Sequence, residues 1–190
     1  MSLRPGMNET LVDAMWRVCA MLRCDTNVGG IMHAAEHLSW LLFLKFFDQE
    51  EKKRVQEAAL RGETSTPVLP PDLSWDAWAG PTALQTWDSR KGGLVAFVRG
   101  RLLPGLASLN GSPQAAAIAG LFSDERIGDQ TVVRNVPVCA SDAVLKDVLT
   151  VVNTIDFKRD DHCFALTRLY EDVLARMGQE NQIAGEFHTP

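Results

Sequence analysis

Two imidazoles and a carboxylate stand within one helical turn in His33-Ala-Ala-Glu36-His37. On a helix, positions i and i+4 share a face, so the two histidines can address one point in space. The order His-x-x-Glu-His suits a zinc site in which the imidazoles hold the metal and the glutamate serves as general base. Such a site needs a third protein ligand, and nothing in the sequence marks one. The same residues also suit the polar start of a helix running into the core. A small zinc hydrolase is therefore one reading to weigh, and no metal ligand is assigned.

Other candidate groups are weaker. Asp161-His162-Cys163 sets a thiol beside an imidazole. Neighbours on a helix face different directions, so a helix cap followed by a half-buried cysteine fits better than a nucleophile with its base. No catalytic residue is assigned. The cysteines at 19, 24, 139 and 163 form no Cys-x-x-Cys pair and are expected as reduced, mostly buried thiols of a cytoplasmic protein. Gly29-Gly30 and Gly92-Gly93 follow no strand, so they break helices instead of cradling phosphate. Leu69-Pro-Pro-Asp72 is only distantly similar to the Asn/Asp-Pro-Pro-aromatic loop of amino-methyltransferases. Its acidic residue follows the prolines and no aromatic does, so it reads as a proline-stiffened turn. Basic residues are scattered at Lys52-Lys53-Arg54, Arg90-Lys91, Arg99, Arg101 and Lys158-Arg159. Gripping phosphates needs several of them on one face.

These residues need helices to position them. Asn8 or Thr10 can cap a first helix whose apolar stripe is Leu11, Ala14, Met15, Val18, Cys19 and Leu22, ending at Asn27-Val28-Gly29-Gly30. A second is expected from near Ile31 past Glu51, to a stop at Gly62. Its centre, Leu38 to Phe47, is apolar nearly all round, as for a helix in the middle of a bundle. Residues 62–93 contain Pro67, Pro70, Pro71 and Pro81 and permit only short turns. Trp75, Trp78 and Trp87 nevertheless suggest a segment folded back on the helices. A third helix is expected over 94–103, stopped by Pro104-Gly105, and a short one over Ala115 to Leu121. Thr131-Val132-Val133 reads as a brief strand. Ser141 or Asp142 caps a fourth helix carrying Leu145, Val148, Leu149, Val152 and Ile155. A fifth, after Asp160 or Asp161, carries Leu166, Leu169, Tyr170, Val173, Leu174 and Met177. The fold class is all-α, a helical bundle of four to five main helices with a long Trp- and Pro-containing irregular excursion.

Composition agrees. The 190 residues are 46% apolar and 23% charged, ordinary for a soluble globular protein. With 19 basic and 24 acidic residues the formal charge is −5. That argues against a stand-alone, highly basic nucleic-acid binder, although a local basic patch is compatible with it. The longest apolar run is far short of the roughly 18 residues of a membrane span. Met1 to Gly6 does not read as a signal peptide. Residues 1–7 are expected as an appended or disordered start, 8–178 as a single helical domain and 179–190 as a linker to a further domain.

Three stretches together resemble one family. They are Met15-Trp-Arg-Val-Cys-Ala-Met-Leu-Arg23, then His33-Ala-Ala-Glu-His-Leu-Ser-Trp-Leu-Leu-Phe-Leu-Lys-Phe-Phe-Asp48, and finally Leu169-Tyr-Glu-Asp-Val-Leu174 followed by Gly185-Glu-Phe-His-Thr-Pro190. In this order they are similar to the N-terminal region of the modification subunit of type I restriction–modification systems. The resemblance implies an adenine-N6 DNA methyltransferase that uses S-adenosylmethionine. It implies as partners a specificity subunit, a restriction subunit, a second modification subunit and DNA, in the bacterial cytoplasm with no membrane contact. The helical domain would help assemble the complex and close it around DNA. Phe187, Thr189 and Pro190 would line the cofactor pocket, with His188 where an aromatic is usual.

The chain holds neither a glycine-rich cofactor loop nor an Asn-Pro-Pro-aromatic catalytic loop. A base-methylating site needs an acceptor for the adenine amino group and a stacking aromatic. This chain alone is therefore expected to lack methyltransferase activity and to bind no cofactor tightly. Exposed apolar residues in 62–93 would offer a docking surface for a missing domain or partner. Beside this reading stand a helical protein–protein adaptor unrelated to DNA and the zinc hydrolase on His33, Glu36 and His37.

Overall fold

Leu11–Arg23 forms α1 because its apolar residues recur at helical spacing, and Met15, Val18, Cys19 and Leu22 are all buried. In this computed structural model the described residues are 11–87, 92–124 and 132–157. α2 is Gly30–Leu60, about 46 Å long at 1.5 Å per residue. Its first half supplies the core with Ile31, Ala34, Leu38, Trp40, Leu41, Leu42 and Leu44. Its second half is more exposed and ends where the sequence predicts. Gly62 takes the left-handed conformation, φ +71. There Glu63 N–H donates to Ala58 O at 2.9 Å and Gly62 N–H to Ala59 O at 3.0 Å, the paired closure that favours glycine.

The excursion after α2 folds back as expected. It holds a 3₁₀ turn at Pro71–Leu73, α3 at Trp75–Trp78 and α4 at Pro81–Thr86. Trp75, Trp78 and Trp87 are buried. The rings of Trp75 and Trp78 meet edge-on at 5.3 Å, and Trp87 lies 5.1 Å from Phe97. Trp87 Nε1 donates to Trp78 O at 2.7 Å. The expected exposed apolar docking surface is thereby corrected: Leu69, Leu73, Trp75, Trp78, Ala79, Ala83 and Trp87 are core. Three indoles bury more apolar area inside than a loop could leave in water.

The third helix also departs from expectation. α5 is Gly93–Phe97, followed without a break by a π-helical turn, Val98–Leu102, and by α6, Leu103–Ala107. Pro104-Gly105 does not stop it. The wider turn, in which Leu103 N–H donates to Val98 O, takes the strain that a proline ring would otherwise put on the carbonyl four residues earlier. Gly105 is needed for packing, since a Cβ there would meet Leu73 Cδ1 at 2.7 Å. α7 is Pro113–Phe122, capped by Ser112, which accepts from Ala115 N–H. The expected strand is a single antiparallel bridge between Ser123 and Val133, for no neighbouring strand extends it among the described residues. Thr131 lies outside them.

α8 is Asp142–Asn153, with Ser141 as N-cap. Its stripe of Leu145, Val148, Leu149 and Val152 is buried and packs on α1, α4 and α5. Ser141 Oγ accepts from Val144 N–H at 3.4 Å. We expect Ser141→Ala to cost about 1 kcal/mol, as other N-cap losses do; a urea midpoint equal to that of the parent chain would refute the cap. Among the described residues the fold is all-α, and no helix is long and apolar enough to cross a membrane. The expected fifth helix lies outside the described residues.

Candidate functional site

α2 is the hub of the structure because it carries charged side chains inward. Lys45, Asp48 and Glu51 follow one another at i, i+3 and i+6 and are only 4, 4 and 7% exposed. Charged residues are rarely so buried unless paired, and each of these fastens a different segment. Lys45 Nζ donates to Val152 O at 2.7 Å, to Asn153 O at 3.1 Å and to Ile155 O. It closes the carbonyl end of α8, where a cation also meets the negative end of the helix dipole. Burial pulls the Lys45 ammonium down to about 8, with Asp156 opposing. It stays charged at neutral pH, with all three carbonyls paired.

Asp48 Oδ1 accepts from Trp75 N–H at 3.0 Å and so starts α3. Its other oxygen pairs with Lys52 at 2.5 Å, and Lys52 reaches on to Asp76 at 2.6 Å. Burial alone would lower the Lys52 ammonium, but the two carboxylates outweigh it and raise it. Glu51 accepts from Val68 N–H at 2.5 Å and Leu69 N–H at 3.2 Å, while Arg54 bridges Glu51 to Thr66 O. Trp75 Nε1 donates to Asn153 Oδ1, and Asn153 Nδ2 to Ala79 O, both at 2.8 Å. The tryptophan segment and the end of α8 thus share one polar network.

A second set of contacts holds residues 137–140. Asp25, in the turn before α2, accepts from Ala140 N–H at 2.9 and 3.0 Å and from Asn27 N–H at 2.9 Å. Trp40 Nε1 donates to Pro137 O at 3.1 Å, and Arg99 to Val138 O at 2.8 Å. Cys139 is buried beside Asp25. Burial first, and then that carboxylate, push its thiol up to about 12, which leaves it inert as a nucleophile.

The histidine motif is not brought together as a metal site. His33 is exposed and its Nδ1 lies 2.9 Å from Gly29 O. Glu36 is exposed. His37 is wholly buried, stacked on Trp40 at 5.1 Å, with neither ring nitrogen hydrogen-bonded among the described residues. Burial lowers the His37 imidazole to about 4, Asp25 opposing. Among the described residues no group of three His, Cys, Asp or Glu side chains is placed to hold a metal. Leu69-Pro-Pro-Asp72 is the stiffened turn expected, with Asp72 paired to Arg101 at 2.6 Å. Asp161-His162-Cys163 and the four expected cofactor-lining residues, Phe187, His188, Thr189 and Pro190, lie outside the described residues.

Sequence reasoning missed the inward charges. Lys45 stands alone as a cation inside the apolar run Leu38 to Phe47. A lone cation inside such a run is itself the signal of a buried partner.

Residues 11–152 match the family model described as the HsdM N-terminal domain. The methylase subunit of the type I restriction enzyme EcoEI from Escherichia coli is 29% identical over 174 residues, which is 90% of this chain and 32% of that one. A chain from a structure on complex assembly and conformational transition of the type I R-M system is 40% identical, with a TM-score of 0.73 over 98% of this chain and 34% of that one. A modification subunit ascribed to a type I restriction enzyme of Vibrio vulnificus YJ016 has the same fold, with a TM-score of 0.60 at 24% identity over 93% of this chain and 37% of that one. The chain thus spans about a third of the length of the relatives it matches.

Proposed function

The chain belongs to the HsdM N-terminal domain family, and from that premise we propose that it serves as the helical accessory and assembly domain of an adenine-N6 DNA methyltransferase subunit. The observation that carries this reading is that the family match, residues 11–152, coincides with the unit that α2 fastens together. Lys45 and Asp48, both within the second stretch of family resemblance, make two of its main ties. In this reading the domain presents a rigid face to its partners. Those are the specificity subunit, the restriction subunit, a second modification subunit and duplex DNA, in the bacterial cytoplasm.

The reading extends to residues 8–178 as one helical domain and 179–190 as the link to a methyltransferase domain. Phe187, His188, Thr189 and Pro190 would there edge the pocket for S-adenosylmethionine, which supplies the methyl group when bound. The zinc and unrelated-adaptor readings are not favoured: His33 and His37 face opposite environments, and the family match gives the chain a parent system.

Co-purification tests the proposal. A full-length modification subunit lacking residues 1–178 should lose most of its recovery with the specificity subunit, and with it methyl transfer to target duplex from labelled S-adenosylmethionine. Undiminished assembly and turnover without those residues would defeat it. Turnover by the 190-residue chain alone would defeat the expectation that this part has no catalytic site of its own.

A further inference from the structure

A cleft of about 550 Å³ opens between the start of α2, the π turn and residues 133–138. We propose that it grips a backbone phosphate of duplex DNA, an inference that rests on the function proposed above and adds the residues that would make the contact. Its volume lies within the range of ligand sites.

Arg99 and Arg134 give the lining its charge, His33 and the amides of Asn27 and Asn135 add polar groups, and no carboxylate lines it among the described residues. In a chain carrying 24 acidic residues and a net charge of −5, a cleft lined by two arginines stands against the average field. It is the local patch through which such a protein can still approach a polyanion.

Several surface cations among the described residues are spent elsewhere. Lys52, Arg54, Arg61 and Arg101 each sit on a carboxylate. Arg134 is exposed and has no ion pair among the described residues, while its backbone N–H is fixed to Phe122 O at 2.8 Å. Arg99 is pre-oriented by its bond to Val138 O. The wall behind them is stiff, because Val136 and Val138 are buried and Trp40 holds Pro137. His33 donates Nδ1–H to Gly29 O, which makes Nε2 of the neutral ring an acceptor, so the phosphate contacts fall to the two arginines. Arginine and asparagine side chains on a fixed backbone are the usual means of holding DNA phosphates. Such contacts carry no base information, so the cleft would add affinity and register without sequence preference.

The test uses the full-length modification subunit assembled with its specificity subunit, titrated with fluorescent target and non-target duplexes over a series of salt concentrations. Arg134→Gln removes no internal bond among the described residues and is the decisive variant; Arg99→Gln is the second. Each should weaken binding about tenfold at low salt, equally on both duplexes, and reduce the log–log salt slope by about one. An unchanged slope and affinity for Arg134→Gln in an intact complex overturns the proposal alone. A loss confined to the target duplex would mean base readout and also overturns it. If the parent complex binds no duplex, the proposed function falls with it. Calorimetric titration with inorganic phosphate separates the sources: phosphate binding that depends on Arg134, with an unchanged duplex slope, would assign the cleft to a free anion instead.

Discussion

Replacing Lys45 with Met is expected to destabilise the chain by about 3 kcal/mol. Met keeps the apolar stem but not the ammonium. The Asn153 and Ile155 carbonyls then lose the Lys45 donor, while the third acceptor, Val152 O, keeps backbone N–H partners. A buried carbonyl left unpaired costs about 1–3 kcal/mol, and the end of α8 also loses its cation. Relief from burying a charge offsets part of the total. Urea unfolding at pH 7 reads the effect, and a loss below about 1 kcal/mol would show that Lys45 is not the tie at the end of α8. The consequence is local before it is global. Trp75 and Ala79 are joined to the same helix end through Asn153, so amide exchange in the tryptophan segment should quicken as well.

His37 gives the second large effect, and it depends on pH. Its imidazole is lowered from 6.5 to about 4 by burial, against the pull of Asp25. The unfolded chain therefore takes up a proton more readily than the folded one between those values. Stability contributed by the neutral ring is whole above pH 6.5 and falls as pH drops through the window. The expected loss is about 2 kcal/mol at pH 5 and about 3 kcal/mol below pH 4. His37→Phe should keep the ring against Trp40 and remove two buried nitrogens that have no partner. At pH 7 it should lie within about 1 kcal/mol of the parent chain, since exchanging unpaired polar atoms for apolar ones of similar shape is nearly neutral. At pH 5 it should be the more stable of the two by about 2 kcal/mol. Urea melts of both chains across pH 4–8 check this, and parallel curves would remove His37 as the titrating group.

These two residues also show where sequence reasoning succeeds and where it stops. His33 and His37 are one turn apart, which any helix guarantees, yet their environments are opposite. Spacing fixes which residues share a face, but it does not say that His37 lies against Trp40, itself held by Pro137 O, and near Asp25 while His33 stays exposed. The three indoles were legible as a segment folded back on the helices. The expectation that its apolar residues stay exposed failed, because proline density says where a helix cannot run and nothing about what the segment touches. Likewise Pro104 reads as a stop by local rules. The π turn before it removes the conflict, and Leu73 packs over Gly105 from thirty residues away.

The all-α class, the places of α1, α2 and α8, the glycine at the end of α2 and the family resemblance are legible in the sequence alone, although Ile155, expected on the last of these helices, follows its end at Asn153. Each of these is written in local periodicity, in capping residues or in ordered short motifs. Packing decides that Lys45, Asp48 and Glu51 point inward to hold three separate segments, that the histidine motif gathers no metal ligands among the described residues, and that Arg99, Arg134 and His33 line one cleft. Those facts join residues up to about a hundred positions apart. Side-chain partners at that distance are chosen by how helices pack, which no local pattern encodes.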